Sequence, residues 1–188
     1  MVKIWFGLVA LVLLAVPAIA LADSGQPFTA SGNICLDGLP QMKGVAPKPT
    51  GVRVVALGEK LAGVIVVSTG WDALEGAAVD ITITNESSFF DFTTMTFLGE
   101  VNGSLTVTTA DDVLEGKLEG TVSGVFLNPG DILGSIIEST TQVDWRVSSK
   151  DGKAWGEGNA TFAAAPDGTF CGPLDLAGSV RETSRRQK

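Results

Sequence analysis

The sequence predicts an all-β fold, a single antiparallel β-barrel of about eight to ten strands, with a flattened β-sandwich as the alternative. Three observations carry that expectation. Residues 113–127 place Leu114, Gly116, Leu118, Gly120, Val122, Gly124 and Phe126 at even positions and Glu115, Lys117, Glu119, Thr121 and Ser123 at odd ones. Side chains alternate across a strand, so this is a long strand with one wet face. The same one-sided alternation recurs elsewhere in the chain. Short turn signals, above all Lys150-Asp151-Gly152-Lys153, separate the alternating runs.

Taken in order, the chain begins with a targeting pattern over residues 1–22. Lys3 supplies a positive start, residues 4–20 are almost wholly apolar, and Ala20-Leu21-Ala22 is a small-x-small cleavage site. The expected product is a secreted or periplasmic protein of the cell exterior, with no membrane span after cleavage. A retained N-terminal anchor is the alternative. The residue directly after the cut is Asp23 and not a cysteine, so nothing points to lipid anchoring. Residues 23–182 are expected to form one β-barrel domain and residues 183–188 a disordered basic tail.

Residues 28–35 alternate, with Phe28, Ala30, Gly32 and Ile34 on one face and Cys35 on the other. Residues 36–50 carry Pro40, Pro47, Pro49, Gly38 and Gly44 and read as a long loop, because proline removes donors and punctuates strands. Residues 52–57 and 61–69 are β-branched and apolar, with Gly58-Glu59-Lys60 as a hairpin turn between them. Val64-Ile65-Val66-Val67 is apolar on both faces, which predicts a strand covered on both sides. Residues 71–76 form a turn or short helical piece. Val79, Ile81 and Ile83 alternate with polar residues. Residues 88–98 carry Phe89, Phe90, Phe92 and Phe97 in ambiguous facing, which a bulge near Thr93 and Thr94 would reconcile.

Registers follow by arithmetic. A two-residue loop at Ala110-Asp111 sets Val107 against Leu114, Leu105 against Gly116, Gly103 against Leu118 and Val101 against Gly120. Large side chains then meet glycines, and a one-residue slip would oppose Leu105 to a charge. Residues 127–141 interrupt the strands with a turn at Asn128-Pro129-Gly130 and a short helix over residues 132–137 capped by Asp131, either a lid or a crossover. A loop at Asp151-Gly152 sets Trp145 against Gly158 and Arg146 against Glu157, an aromatic covering a bare glycine as curved sheets require. A three-residue loop at Pro166-Asp167-Gly168 sets Phe162 against Gly172 and turns Cys171 to the outer face.

Cys35 and Cys171 are the only cysteines. Both point outward, so a disulfide between them fits first and last strands lying side by side, which closes a barrel. The closed loop of about 136 residues corresponds to roughly 4–5 kcal/mol in the chain-entropy model.

Composition narrows function by exclusion. The net charge is −8, and loss of Lys3 makes the mature chain one unit more negative. That balance disfavours nucleic acid and anionic membranes as partners. Outward Glu115, Lys117, Arg146 and Glu157 disfavour a membrane-spanning barrel. The chain has no His and no Tyr, which removes the commonest metal ligand and the usual general base. No phosphate loop, zinc spacing, nucleophile elbow or calcium loop is present, so no cofactor or metal is expected. Asp111, Asp112, Glu115 and Glu119 form an acidic cluster best explained as a hairpin turn on a solvated strand. Trp155 falls on the polar face as a partly covered surface side chain. Asn85, Asn102 and Asn159 head glycosylation sequons that matter only in a glycosylating host.

In shape the hairpin ladder is similar to small secreted up-and-down barrels such as lipocalin-type folds, a likeness that no motif carries and that implies no activity. The expected function is a non-catalytic binding or structural module of the cell exterior, its partner a small apolar ligand or another extracellular protein. A small barrel enzyme of isomerase or lyase type, using an interior carboxylate, is the alternative, and a buried acid with a raised pKa inside the barrel would favour it. The best-read strands carry no inward carboxylate. For the interior, the large-to-small pairings favour packing. The competing arrangement is a pocket lined by Trp145 and Phe162, with residues 132–137 as its lid.

Overall fold

The computed structural model describes residues 25–38, 41–44, 48–164 and 171–182. They form ten strands: β1 (Gln26–Gly38), β2 (Gln41–Gly44), β3 (Gly51–Leu57), β4 (Glu59–Thr69), β5 (Ala78–Asp91), β6 (Thr96–Thr108), β7 (Val113–Phe126), β8 (Ile136–Ser149), β9 (Ala154–Ala164) and β10 (Cys171–Glu182). Two single 3-10 turns, Asp72–Leu74 and Leu133–Ser135, complete the regular structure among the described residues. The signal-peptide region 1–22, the turn expected at residues 166–168 and the basic tail 183–188 lie outside these residues.

All ten strands belong to one antiparallel sheet. Strands β1, β4, β5, β6, β7, β8, β9 and β10 pair in that order, and β10 pairs back to β1, so the sheet closes into a barrel-like ring. Strands β2 and β3 continue β1 and β4 beyond the ring. β1 meets β4 at Gly38↔Lys60 and β2 meets β3 at Gln41↔Leu57, the same register carried across the gap.

The stagger of the ring sets its width. A path perpendicular to the strands from Gly32 passes Leu174, Phe162, Thr141, Val122, Gly99, Ser88 and Val54 and returns on Gly44, twelve residues further along. In an eight-strand ring that stagger corresponds to a tilt of about 45° and a backbone radius of about 9 Å. Inward side chains form one continuous apolar cluster that reaches from Phe28 and Val180 to Phe97 and Phe126.

The glycine-rich strands follow the sequence register. Val107↔Leu114, Leu105↔Gly116, Gly103↔Leu118 and Val101↔Gly120 join β6 to β7, and Trp145↔Gly158 and Arg146↔Glu157 join β8 to β9. At Gly116 a Cβ would overlap the Arg146 carbonyl oxygen, and at Gly158 that of Ala177. Here the bare positions let neighbouring backbones close in; they are not empty space left for a ligand. Cys35 pairs directly with Cys171 across β1 and β10, with the sulfurs 2.11 Å apart at disulfide distance. Paired cysteines fit an oxidising compartment, and no helix among the described residues is long and apolar enough to cross a membrane.

Several local expectations are corrected. Residues 36–50 are not one loop: β1 runs to Gly38, and Gln41–Gly44 forms a short exposed edge strand on β3. Gly58-Glu59-Lys60 is not a hairpin turn, because β3 and β4 both pair with β5, from Gly51↔Asp91 to Val64↔Ala78. They are one bent strand, kinked where Gly58 takes φ +74° and donates its N–H to the Ile83 carbonyl. The β5 bulge sits between Ile83 and Asn85, and residues 92–95 are the β5–β6 turn, with Met95 at φ 59°. Residues 132–137 do not form a helix. Asp131 accepts the Gly134 N–H at 3.1 Å to hold the single 3-10 turn Leu133–Ser135, and Ile136 already belongs to β8.

Phe162 faces Leu174, not Gly172, a two-residue slip that leaves inward and outward faces unchanged. The β4 strand is not covered on both faces by the described residues. The irregularity between Ser31 and Gly32 shifts the β1–β4 register, and Val66 and Val67 are both 55% exposed.

Candidate functional site

The two ends of the ring differ. At one end the β4–β5 connection folds over the opening. Its 3-10 turn seats Leu74 in the core and lays Trp71 edge-on against Phe28, with ring centroids 5.1 Å apart. The Trp71 indole N–H reaches the rim and donates to Glu182 Oε1 at 2.7 Å.

Trp145, from β8, belongs to this aromatic group. Its ring centroid lies 5.8 Å from that of Phe28, and both Trp71 and Trp145 approach Gly156. The side chain is only 3% exposed, and its Nε1 is the one buried side-chain polar atom without a hydrogen-bond partner among the described residues. Phe162, the other residue expected to line a pocket, is also buried and inward on β9. Trp145 pairs with Gly158, so Phe162 stands four residues further along β9, about 13 Å towards the disulfide. The two share one interior wall without touching one spot.

At the disulfide end Phe90 stacks on Phe97 at 4.8 Å and meets Phe126 edge-on at 5.5 Å. Beside this group the structure places two acids that the sequence reading missed as site residues. Glu59 follows the Gly58 kink and shares the inward parity of Leu61 and Ile65. Glu86 follows the β5 bulge, which carries the inward phase from Val79, Ile81 and Ile83 to Glu86, Ser88 and Phe90. Ser88 is 1% exposed and donates its hydroxyl to Glu86 Oε1 at 2.6 Å.

The register neighbours of these acids are Ile83 for Glu59 and Ala56 and Val101 for Glu86. In that apolar setting burial pushes the Glu59 carboxyl up to about 7, with repulsion from Glu86 as the second cause. Burial raises Glu86 as well, and the Ser88 hydrogen bond partly opposes it. A signal for Glu86 was present in the sequence. Ile83 and Phe90 are both inward yet seven residues apart, so the alternation must slip between them.

The outer face carries an open groove of about 1100 Å³ across β6–β10, walled by Lys117, Glu119, Asp144, Arg146 and Glu157. Two contacts cross it: Arg146 lies 3.5 Å from Glu157, and Asn159 donates to Asp144. Trp155 is half-buried with Arg181 over its ring at 5.7 Å. In the acidic turn, Asp112 accepts the Val113 N–H and Thr109 Oγ1 accepts that of Asp112. No group of three or more acids or cysteines among the described residues is arranged to hold a metal ion. No protein family, no curated protein and no solved structure matches this chain.

Proposed function

We propose that the protein is a non-catalytic binding barrel of the cell exterior, whose packed interior parts to take an elongated apolar ligand with one hydrogen-bond acceptor, reaching along the wall from Phe162 to Trp145. The observation that carries this reading is the unpartnered, buried Trp145 Nε1–H. A buried donor without a partner costs about 1–3 kcal/mol, and an acceptor on a bound molecule removes that cost. Entry is from the disulfide end, past Phe90, Phe97 and Phe126, since the β4–β5 connection folds Trp71 and Leu74 over the other.

Trp145→Phe keeps an aromatic side chain and deletes the donor. Titration with an apolar fluorescent probe bearing a sulfonate should show uptake weakened about 3–10-fold, the value of one hydrogen bond. Equal uptake by wild type, Trp145→Phe and Phe162→Ala would remove the reading.

A second reading, the small barrel enzyme of isomerase or lyase type, is favoured by one observation: the inward Glu59 carboxyl sits near neutrality, where a general acid or base works best. Its check is deuterium uptake from heavy water into a panel of carbon acids. Wild type should accelerate exchange of at least one, and Glu59→Gln should not.

A further inference from the structure

Three irregularities cross neighbouring strands at one level. β1 ends at Gly38 and its register resumes at Gln41 in β2, Gly58 kinks β3 against β4, and β5 bulges between Ile83 and Asn85. Beyond this line β2 and β3 carry the wall of the ring on as a two-strand ribbon. The ribbon is held to the rest by the β3–β5 ladder from Gly51↔Asp91 to Ala56↔Glu86. All four β2 residues are exposed, and β2 pairs with β3 alone among the described residues. β3 buries Val52 and Ala56 but reaches the ring through the β5 ladder alone, whereas each ring strand is held by two ladders, so the ribbon is the segment expected to open before the rest.

The inward carboxylates sit on this line. Glu59 is the first residue after the kink, and Glu86 is the β5 partner of Ala56 at the base of the ladder. The charged side chains on the strands packed against them are Asp37 on β1, Lys43 on β2, Arg53 on β3, Lys60 on β4, Asp80 and Asp91 on β5 and Glu100 on β6. By alternation Asp37, Lys43, Arg53, Lys60, Asp80 and Glu100 take outward positions, and Asp91 holds the β5–β6 turn by accepting the Thr93 N–H. No cation among the described residues shares the interior with the pair.

We infer that β2 and β3 form a pH-responsive flap, hinged at Gly58 and held against β5 while the inward Glu59 and Glu86 carboxyls are not both ionised. Ionisation of both places two like charges in an apolar seam. Lifting β3 from β5 exposes both to water and removes that penalty. The raised position of Glu59 sets the direction: the closed state binds more protons than the open one, so closure is favoured at low pH and weakens as pH rises through about 7.

The test is hydrogen exchange on the full protein, read by mass spectrometry on peptides covering residues 41–57 and on control peptides from β8 and β9, each corrected for the intrinsic pH dependence of exchange. Between pH 6 and pH 8.5 the opening equilibrium of the flap peptides should rise about tenfold while the controls stay level. Glu59→Gln, a permanent mimic of the protonated acid, should flatten the rise, and Glu86→Gln should reduce it. An equal rise in flap and control peptides would overturn the hinge, since the pair would then respond only to global unfolding. No rise, or an unchanged rise in both Gln variants, would overturn the switch itself.

Discussion

At the Trp71 end of the ring a carboxylate is put to structural use: Glu182 stands at the rim and accepts the indole N–H of Trp71. At the disulfide end Glu59 and Glu86 face inward among Ile83, Ala56 and Val101, and burial raises both. Both ends are lined with aromatic side chains, Trp71, Phe28 and Trp145 at one and Phe90, Phe97 and Phe126 at the other. The difference lies in what the backbone does. Near Trp71 the connection folds over the opening, whereas at the disulfide end kink and bulge rotate acids into the seam. One end is covered by a connecting turn and the other carries inward acids at a backbone kink and bulge, and substitutions can test how far the two ends differ.

The largest expected effect is at the disulfide end. Replacing Cys35 and Cys171 together by Ala frees a loop of 136 residues. It should lower the unfolding free energy by about 4–5 kcal/mol in the chain-entropy model, measured by urea titration. If the seam is the weak point of the ring, flap exchange should also rise more than exchange near Trp71. Unreduced, denatured protein should show no titratable thiol by mass spectrometry.

Next comes the aromatic group of the closed end. Trp145→Ala should cost about 3–5 kcal/mol as a core cavity. A near-neutral effect would mean that Trp145 lines open space, and the packed half of the comparison would fall. Gly158 opposite it points to the larger cost, because the place of its missing side chain is taken by backbone of the next strand.

The extent to which this was legible differs along the same lines. Regular alternation held its phase through β6, β7, β8 and β9, so their hairpin registers and the pairing of Cys35 with Cys171 could be read from residue types alone. The β9–β10 register slipped by two because such a slip conserves every face, and hydrophobicity cannot see it. The acids were hidden for a related reason. Gly58-Glu59-Lys60 has the composition of a turn, and only the long-range pairing of β3 and β4 to one side of β5 makes it a kink that turns Glu59 inward. The β5 slip was sought near Thr93, whereas placing it at Thr84 brings Glu86 and Ser88 onto the face of Phe90.

The smallest effects give the sharpest contrast, because one isosteric change should act with opposite signs at the two ends. Glu182→Gln leaves an oxygen that can still accept the Trp71 N–H and removes only the charge assistance, so it should destabilise by about 0.5–1 kcal/mol. Glu59→Gln removes a half-buried, inward charge that no cation on the neighbouring strands offsets. The folded-state value of about 7 lies above the ordinary 4.5, so the acid's contribution is intact below pH 4.5 and is lost as pH rises through 7. At pH 5 the variant should match the wild type. At pH 8.5 it should be more stable, by on the order of 1–3 kcal/mol. Urea midpoints of both variants at the two pH values decide the matter. If Glu59→Gln is destabilising at pH 8.5, the carboxylate has found a partner, and the two ends are alike in their use of acids.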